Sequence, residues 1–305
     1  MKIRRAQKPL VAAVVFSIIE LVPAGCGNGT ATSTGASPTP AASPSGAVSA
    51  IAAQLPGSVK AKGALTVAAD ATYAPNEFIG TDGHTVVGLD ADLAKALGQV
   101  LGLNVSVINA TFATIIPGLA SGKYDLGMSS FTDTKEREKT VDFVTYFVAG
   151  TSFYVKSDGG PDISSLADLC GRTVAAEQGT TQQADAQAQA AKCESAGKPG
   201  MTVQVFNDQN AVNLALSSGR AQVAMADSPV AAYQVKQSNG TFTVSGSPYG
   251  TAPYGIAIPK DSGMAEPVLA AVKQVMSDGT YTKILGRWGV QGGAISDPAI
   301  NAAVS

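Results

Sequence analysis

The segment Lys123–Phe147 reads KYDLGMSSFTDTKEREKTVDFVTYF and combines groups able to hold a small anion. Tyr124, Leu126 and Met128 alternate with Asp125 and Gly127, which predicts a short buried strand. That strand runs into Ser129, Ser130, Phe131 and Thr132, with Arg137 five residues later. A planar guanidinium matches a carboxylate bidentately, and hydroxyls and free amides add donors. The same residues also fit a capped turn followed by a solvated charge run, KEREK. Two further stretches bear on the choice. Gly179-Thr180-Thr181 opens a predicted helix, where unpaired N–H groups and the helix dipole favour an anion, although ordinary capping is another use of such residues. Asp227 ends a predicted strand just before another helix, where it could meet an ammonium or serve as an N-cap.

The elements that must position these groups are legible from periodicity. Leu65–Ala69 reads as a strand ending at Asp70, and the loop that follows carries Tyr73 past the strand's carboxyl end, where open α/β sheets bind ligands. Tyr73 either stacks on a ligand or packs as a loop aromatic. Leu89, Leu93, Leu97, Val100 and Leu101 recur at helical spacing. Leu103–Ile108 is a strand, and Phe112, Ile115, Ile116 and Leu119 mark a second helix, with Thr114 as its expected cap and Pro117 in its first turn. The order β-α-β-α-β implies a parallel sheet. A second α/β series follows. It has strands at Thr173–Ala176, Thr202–Phe206 and Gln222–Ala226 and helices opening near Thr181, after Asn207 or Asp208, and at Pro229. Phe242–Ser245 and Tyr254–Ile258 are two further strands, and Met264–Met276 and Tyr281–Trp288 two helices; the stretch 292–305 is weakly patterned.

The chain has 305 residues, a formal net charge of -2 and 14% charged residues, so no basic patch or acidic tail argues for nucleic acid. A single histidine, His84 in a TDGH turn, argues against a histidine-based metal site or a Ser-His hydrolase. Lys2, Arg4, Arg5 and Lys8 precede an apolar run from Pro9 to Val22 and then Pro23-Ala24-Gly25-Cys26, the pattern of a secretory signal peptide over 1–25. Residues 26–49 are mostly Gly, Ser, Thr, Ala and Pro and read as a flexible linker. Export permits a disulfide between Cys170 and Cys193; two buried free thiols are the alternative.

Several motifs, in order, resemble one family, the polar amino-acid branch of the bacterial extracellular solute-binding proteins, family 3. GLDADLAKALGQVL is similar to its signature, with Ala91 smaller than the usual aliphatic. YAPNEF resembles its ligand loop. DLGMSSFTDTKEREKTVDF resembles its central motif, with Thr134, Arg137 and Phe143 in register, and Val144-Thr145-Tyr146-Phe147 standing where Ser-x-Pro-Tyr is usual. The residues before Cys26 resemble a lipoprotein cleavage site, with Pro23 in place of the usual Leu, which implies a lipid anchor at Cys26 on the outer face of the cell membrane.

The resemblance implies an α/β, type II periplasmic-binding-protein fold: two lobes joined by two crossover strands, with a ligand cleft between them. Lobe 1 would hold 50–149 plus 252–305 and lobe 2 would hold 150–251. It implies that Arg137 pairs an α-carboxylate with help from Thr132 and Thr181. Asp227 and the carbonyl of Ser130 would take the α-ammonium. Tyr73 and Phe112 would contact the side chain, Asp70, Glu177 and Gln182 would face its polar end, and Phe131, Gly179 and Thr180 would complete the set. The implied partners are a polar amino acid and an ABC permease, with no cofactor or metal, in a monomer. A ligand-sensing receptor domain, or an enzyme on the same fold such as a dehydratase, are the rival readings. Asp70, Glu77 and Glu177 lean toward a cationic or amide side chain; the alternatives are Asp70 serving the loop backbone and Glu77 facing solvent.

Overall fold

A computed structural model describes residues 46–304. The leader, Cys26 and the linker up to residue 45 lie outside the described residues. Folded structure starts with two short helices, α1 (Gly46–Ala53) and α2 (Gly57–Lys62), so a helix begins within the last residues of the expected linker. Ile51 and Leu55 seat this entry segment in the core.

The first α/β series is β1 (Ala64–Ala69), α3 (Leu89–Leu101), β5 (Asn104–Asn109), α4 (Phe112–Ala120) and β6 (Leu126–Gly127). Between β1 and α3 the chain forms a small antiparallel sheet of β2 (Thr72–Tyr73), β3 (Glu77–Ile79) and β4 (Val86–Val87), where the sequence suggested only a loop. Gly88 closes that excursion at φ 131; a Cβ there would sit 2.1 Å from the carbonyl oxygen of Asn76, so only glycine fits. The second series is β8 (Thr173–Glu177), α5 (Thr181–Ser195), β9 (Thr202–Phe206), α6 (Gln209–Ser217), β10 (Val223–Asp227) and α7 (Ser228–Gln237). Two long strands, β7 (Val141–Lys156) and β11 (Phe242–Pro259), run through both lobes, and α8 (Ala265–Ser277) and α9 (Thr280–Trp288) follow.

The strand order β5-β1-β6-β11-β7-β10-β8-β9 explains the two-lobe form. β1 lies parallel to β5 and β6, and β8 lies parallel to β9 and β10. The antiparallel pair β7 and β11 crosses from one group to the other. β11 is one strand rather than the two expected. Its Gly- and Pro-rich middle reads as a loop but stays paired to β7, with the register slipping between Ser245 and Tyr249 and again before Ala252.

In the first lobe, α3 contributes Leu89, Leu93, Leu97 and Leu101 to a core closed by Val268, Val272 and Val275 of α8 and Leu285 of α9. Each fully buried aliphatic of this kind stabilises the fold by about 1.5–3 kcal/mol. The two C-terminal helices therefore return to the first lobe. The second lobe is built on Val212, Leu216, Ala224 and Val230 on one face of its sheet and on Phe153, Leu169, Val174 and Met225 on the other. Cys170 and Cys193 form a disulfide across 23 residues, tying α5 to the short 3-10 turn Leu166–Leu169.

One helix start differs from the sequence reading. α4 begins at Phe112, with Thr111 rather than Thr114 in the cap position, and Pro117 lies inside the helix. The carboxylate of Asp70, from the end of β1, accepts the Phe112 N–H at 2.8 Å and sets the start three residues early.

Candidate functional site

The carboxyl ends of the strands in both lobes face one another across a narrow cavity. It is lined by Asp70, Tyr73, Phe112, Ser129, Ser130, Thr132 and Arg137 from the first lobe and by Glu177, Thr180, Thr181, Gln182 and Asp227 from the second. Nearly all the residues singled out in the sequence thus meet at one place.

Arg137 sits in a 3-10 turn, Arg137–Lys139, just before β7. Its backbone N–H donates to Thr134 Oγ1 at 3.2 Å. Its guanidinium donates through Nη1 to the carbonyl of Thr132 at 2.8 Å and through Nη2 to the carbonyl of Gly179, in the other lobe, at 2.9 Å. The guanidinium carbon lies 5.4 Å from the ring centre of Phe112 and 5.5 Å from that of Phe131, and the two rings stack at 4.5 Å. Desolvation lowers the pKa of Arg137 to about 10, which leaves it cationic at neutral pH. Phe131 and Gly179 do not line the cavity themselves: Phe131 is the shelf under Phe112 and the cation, and Gly179 offers its carbonyl.

Two more bonds close the cleft. The Asp227 N–H donates to the Tyr73 hydroxyl at 2.9 Å, and the Gln209 N–H donates to Thr72 Oγ1 at 3.1 Å. Glycine at position 179 lets the turn approach α4, since a Cβ there would lie 3.1 Å from Ala113.

Three buried carboxyls oppose the one guanidinium. Asp70 accepts from Thr72 Oγ1 at 2.7 Å as well as from Phe112. Asp227 accepts from Gln182 Nε2 at 2.8 Å; although it stands in the N-cap position of α7, its side chain caps nothing. Glu177 is 2% exposed, and its Oε1 is buried without a hydrogen-bond partner. Burial raises all three, Asp227 to about 6, and the neighbouring Asp70 charge pushes Glu177 further up. Tyr254 also buries an unpartnered hydroxyl near Asp227.

Thr180 does what ordinary capping asks and more: Oγ1 accepts from the Gln183 N–H at 3.2 Å and donates to the Glu177 carbonyl at 2.7 Å while the residue still lines the cavity. Thr181 opens α5 beside it. Ser130 adopts φ 51, a left-handed conformation that costs a non-glycine residue about 1–2 kcal/mol. Its N–H donates to Asp90 Oδ2 at 2.9 Å and its hydroxyl to Glu77 Oε2 at 3.2 Å, which holds the strained turn.

Glu77 is a correction to the sequence reading. It does not face the cavity but is wholly buried behind Ser129 and Ser130, beside Asp90. Burial and the Asp90 charge raise Glu77, and burial raises Asp90 to about 6, so the pair retains a proton near neutrality. One lining residue fell outside the expected ligand set: Ser129, whose Oγ accepts the Asp70 N–H at 2.8 Å. Gln182, expected at the polar end, lines the cavity and bridges Thr151 and Asp227. Among the described residues there is no cluster of His, Cys, Asp and Glu fit to hold a metal, and no helix is long and apolar enough to cross a membrane. His84 lies in an exposed turn with Asp82, away from the cleft.

Comparison with known proteins places this geometry. Residues 65–291 match the bacterial extracellular solute-binding proteins, family 3. The arginine-binding protein ArgT of Corynebacterium glutamicum is 33% identical over 252 residues, covering 82% of this chain and 82% of the relative. The arginine-binding extracellular protein ArtP of Bacillus subtilis is 30% identical, covering 79% of this chain and 92% of the relative. Among solved structures, an ancestral arginine-binding protein bound to glutamine superposes with a TM-score of 0.69 at 37% identity, covering 75% of this chain and 98% of that one. The chain belongs to family 3 of the bacterial extracellular solute-binding proteins.

Proposed function

We propose that this protein captures a cationic amino acid of the arginine type by closing its two lobes and hands it to an ABC importer. The observation that carries the reading is the charge balance of the cavity. One guanidinium faces three buried carboxyls from two lobes, and one carboxyl oxygen, Glu177 Oε1, has no partner. Burying an amino acid requires a partner for each of its charges. Arg137, Thr132 and Thr181 supply donors for the α-carboxylate. Asp227, with the carbonyl of Ser130, takes the α-ammonium. Asp70 and Glu177 remain for a second positive group, and Tyr73 and Phe112 flank its apolar stem. The relatives described as arginine-binding support the same ligand class.

Closure follows from the division of labour. Arg137 and Asp70 come from one lobe and Thr181, Glu177 and Asp227 from the other, so only the closed state serves both ends of the ligand. Charge-assisted hydrogen bonds contribute about 1.5–3 kcal/mol each, and three or four of them bring binding into the micromolar range, about -8 kcal/mol. The protein binds without turnover in this reading, in keeping with relatives described as binding proteins.

Cys26, when lipid-modified, tethers the folded part to the membrane through the linker. Replacing Cys26 by Ser is expected to move the protein from the membrane fraction to the soluble one, and unchanged fractionation removes the anchor from the account. A thermal-shift screen over the twenty common amino acids tests the ligand class: arginine and lysine should raise the melting temperature most, and a response to glutamate alone would refute it.

A further inference from the structure

The weakly patterned stretch after α9 lies mostly beyond the residues that match the family, which end at 291, yet it is tightly held. Its course can be followed bond by bond. Gly293 packs on the ring of Phe147, where a Cβ would come within 2.1 Å of Cζ. The Ile295 N–H donates to the Tyr281 hydroxyl at 3.1 Å. Ala299–Asn301 then line the free edge of β7 in the first lobe. The Thr145 N–H donates to the carbonyl of Ala299 at 2.9 Å, the Asn301 N–H donates to the carbonyl of Phe143 at 2.9 Å, and Ile300 bridges Val144. Asn301 Oδ1 accepts the Phe143 N–H at 2.8 Å, and its Nδ2 donates to Asp142 at 3.0 Å.

The next two residues reach the loop that carries Arg137. The Ala302 N–H donates to Asp133 Oδ2 at 2.7 Å, and the Ala303 N–H donates to Glu138 Oε1 at 3.1 Å. Asp133 is fully buried and follows Thr132, whose carbonyl orients the guanidinium; Glu138 follows Arg137 itself. The strap therefore grips the loop on both sides of its cation. The loop is also anchored to β11, by the bond from the Asp133 N–H to the Pro253 carbonyl at 2.8 Å, by that from the Gly255 N–H to the Phe131 carbonyl at 2.8 Å and by the bridge between Thr132 and Tyr254. An arginine at the rim of a cleft gains from such bracing, because its carboxylate-binding geometry is lost if the turn rotates.

We propose that Ala299–Ala303 is a positioning strap for ligand binding. Through Asp133 and Glu138 it fixes the Arg137 loop in its carboxylate-receiving geometry, and it acts within the first lobe without taking part in closure. The ligand side of this proposal rests on the amino-acid-binding reading, whereas the loop-fixing side does not.

The test uses the full chain and three variants: Asp133→Ala, Asp133→Asn and a deletion of residues 299–305. Each is titrated with L-arginine by calorimetry, and amide exchange is followed at Glu138 and Thr140, whose N–H groups close the loop on Thr134 and Arg137. Asp133→Ala and the deletion should weaken L-arginine binding about tenfold, the scale of one lost charge-assisted bond, and speed exchange at both amides. Asp133→Asn, whose amide oxygen still accepts from Ala302, should stay within about threefold of the parent, a rescue that a general loss of packing would not give. If Asp133→Ala does not fold, the deletion decides, since it removes an edge segment of which only the partly buried Ile300 packs on the core cluster. Parental affinity together with parental exchange in the folded variants overturns the strap. Should the parent itself bind no amino acid, the functional reading fails and the exchange measurement alone decides this proposal.

Discussion

The backbone N–H of Asp227, at the end of β10, donates to the hydroxyl of Tyr73, in β2, at 2.9 Å and so joins the two lobes across the cleft. Tyr73 is 6% exposed and packs among residues of the second lobe's core. Burial, then the Asp227 charge, raises its pKa, so the hydroxyl stays neutral. Tyr73 therefore has a role in the closed state apart from any stacking on a ligand. Tyr73→Phe leaves the buried Asp227 amide unpaired, at a cost of about 1–3 kcal/mol to closure. Calorimetry should show L-arginine affinity reduced about tenfold, and small-angle scattering should show a wider ligand-free molecule.

In the proposed function, charge selectivity turns on Glu177. Its unpartnered carboxyl oxygen is buried in the cavity lining beside Asp70. Glu177→Gln keeps the shape and removes one negative charge. Affinity for L-arginine should fall more than about tenfold while affinity for L-glutamine holds or improves, because charge-assisted bonds are about twice as strong as neutral ones. Paired titrations with the two ligands check this; an equal loss for both would assign Glu177 to packing.

Raised carboxyl pKa values set the pH response. The folded pKa of Asp227 is about 6 because burial disfavours its charge, against about 3.9 for an unfolded aspartate. The folded state therefore keeps a proton that the unfolded state has lost. This stabilising contribution is complete below about pH 4 and is lost as pH rises through about 6. Asp90 and Asp133 behave alike. Melting curves of the ligand-free protein should thus shift upward from about pH 7.5 to about pH 5, where the carboxylates with lowered values, such as Asp142, remain ionised. A cationic ligand favours the ionised forms of Asp70, Glu177 and Asp227, so L-arginine affinity should rise from about pH 5 to about pH 7.5 with release of protons, read from titrations in buffers of different ionisation enthalpy.

Arg137, Thr132, Thr181 and Asp227 could be found in the sequence because each stands at a local boundary, a strand end or a helix start, and local boundaries have local signals. What escaped depends on contacts distant in sequence. Asp70 starts α4 from 42 residues away, and no spacing within the helix announces that cap. Glu77 looks like a loop carboxylate until β3 turns it inward behind Ser129 and Ser130. The strap has no apolar period because backbone and carboxylate bonds hold it rather than a buried face. β11 carries the punctuation of a loop because a strand that passes between lobes tolerates bulges at Gly246 and Gly250.

The Cys170–Cys193 bond constrains a 23-residue separation within the second lobe. Replacing both cysteines by serine should lower stability by about 3 kcal/mol, seen as a lower urea midpoint. Because the bond lies away from the cavity lining, L-arginine affinity at ambient temperature should remain near that of the parent.

The central claim is a zwitterion clamp that also holds a second positive charge. Its most direct test is calorimetric titration of the parent, Arg137→Ala and Asp227→Asn with L-arginine, beside the parent with L-glutamate. The account predicts micromolar or tighter binding of L-arginine by the parent, a loss of more than about tenfold in each variant, and no measurable heat with L-glutamate. Parent-like titrations in both variants, or saturable L-glutamate binding without L-arginine binding, would contradict it.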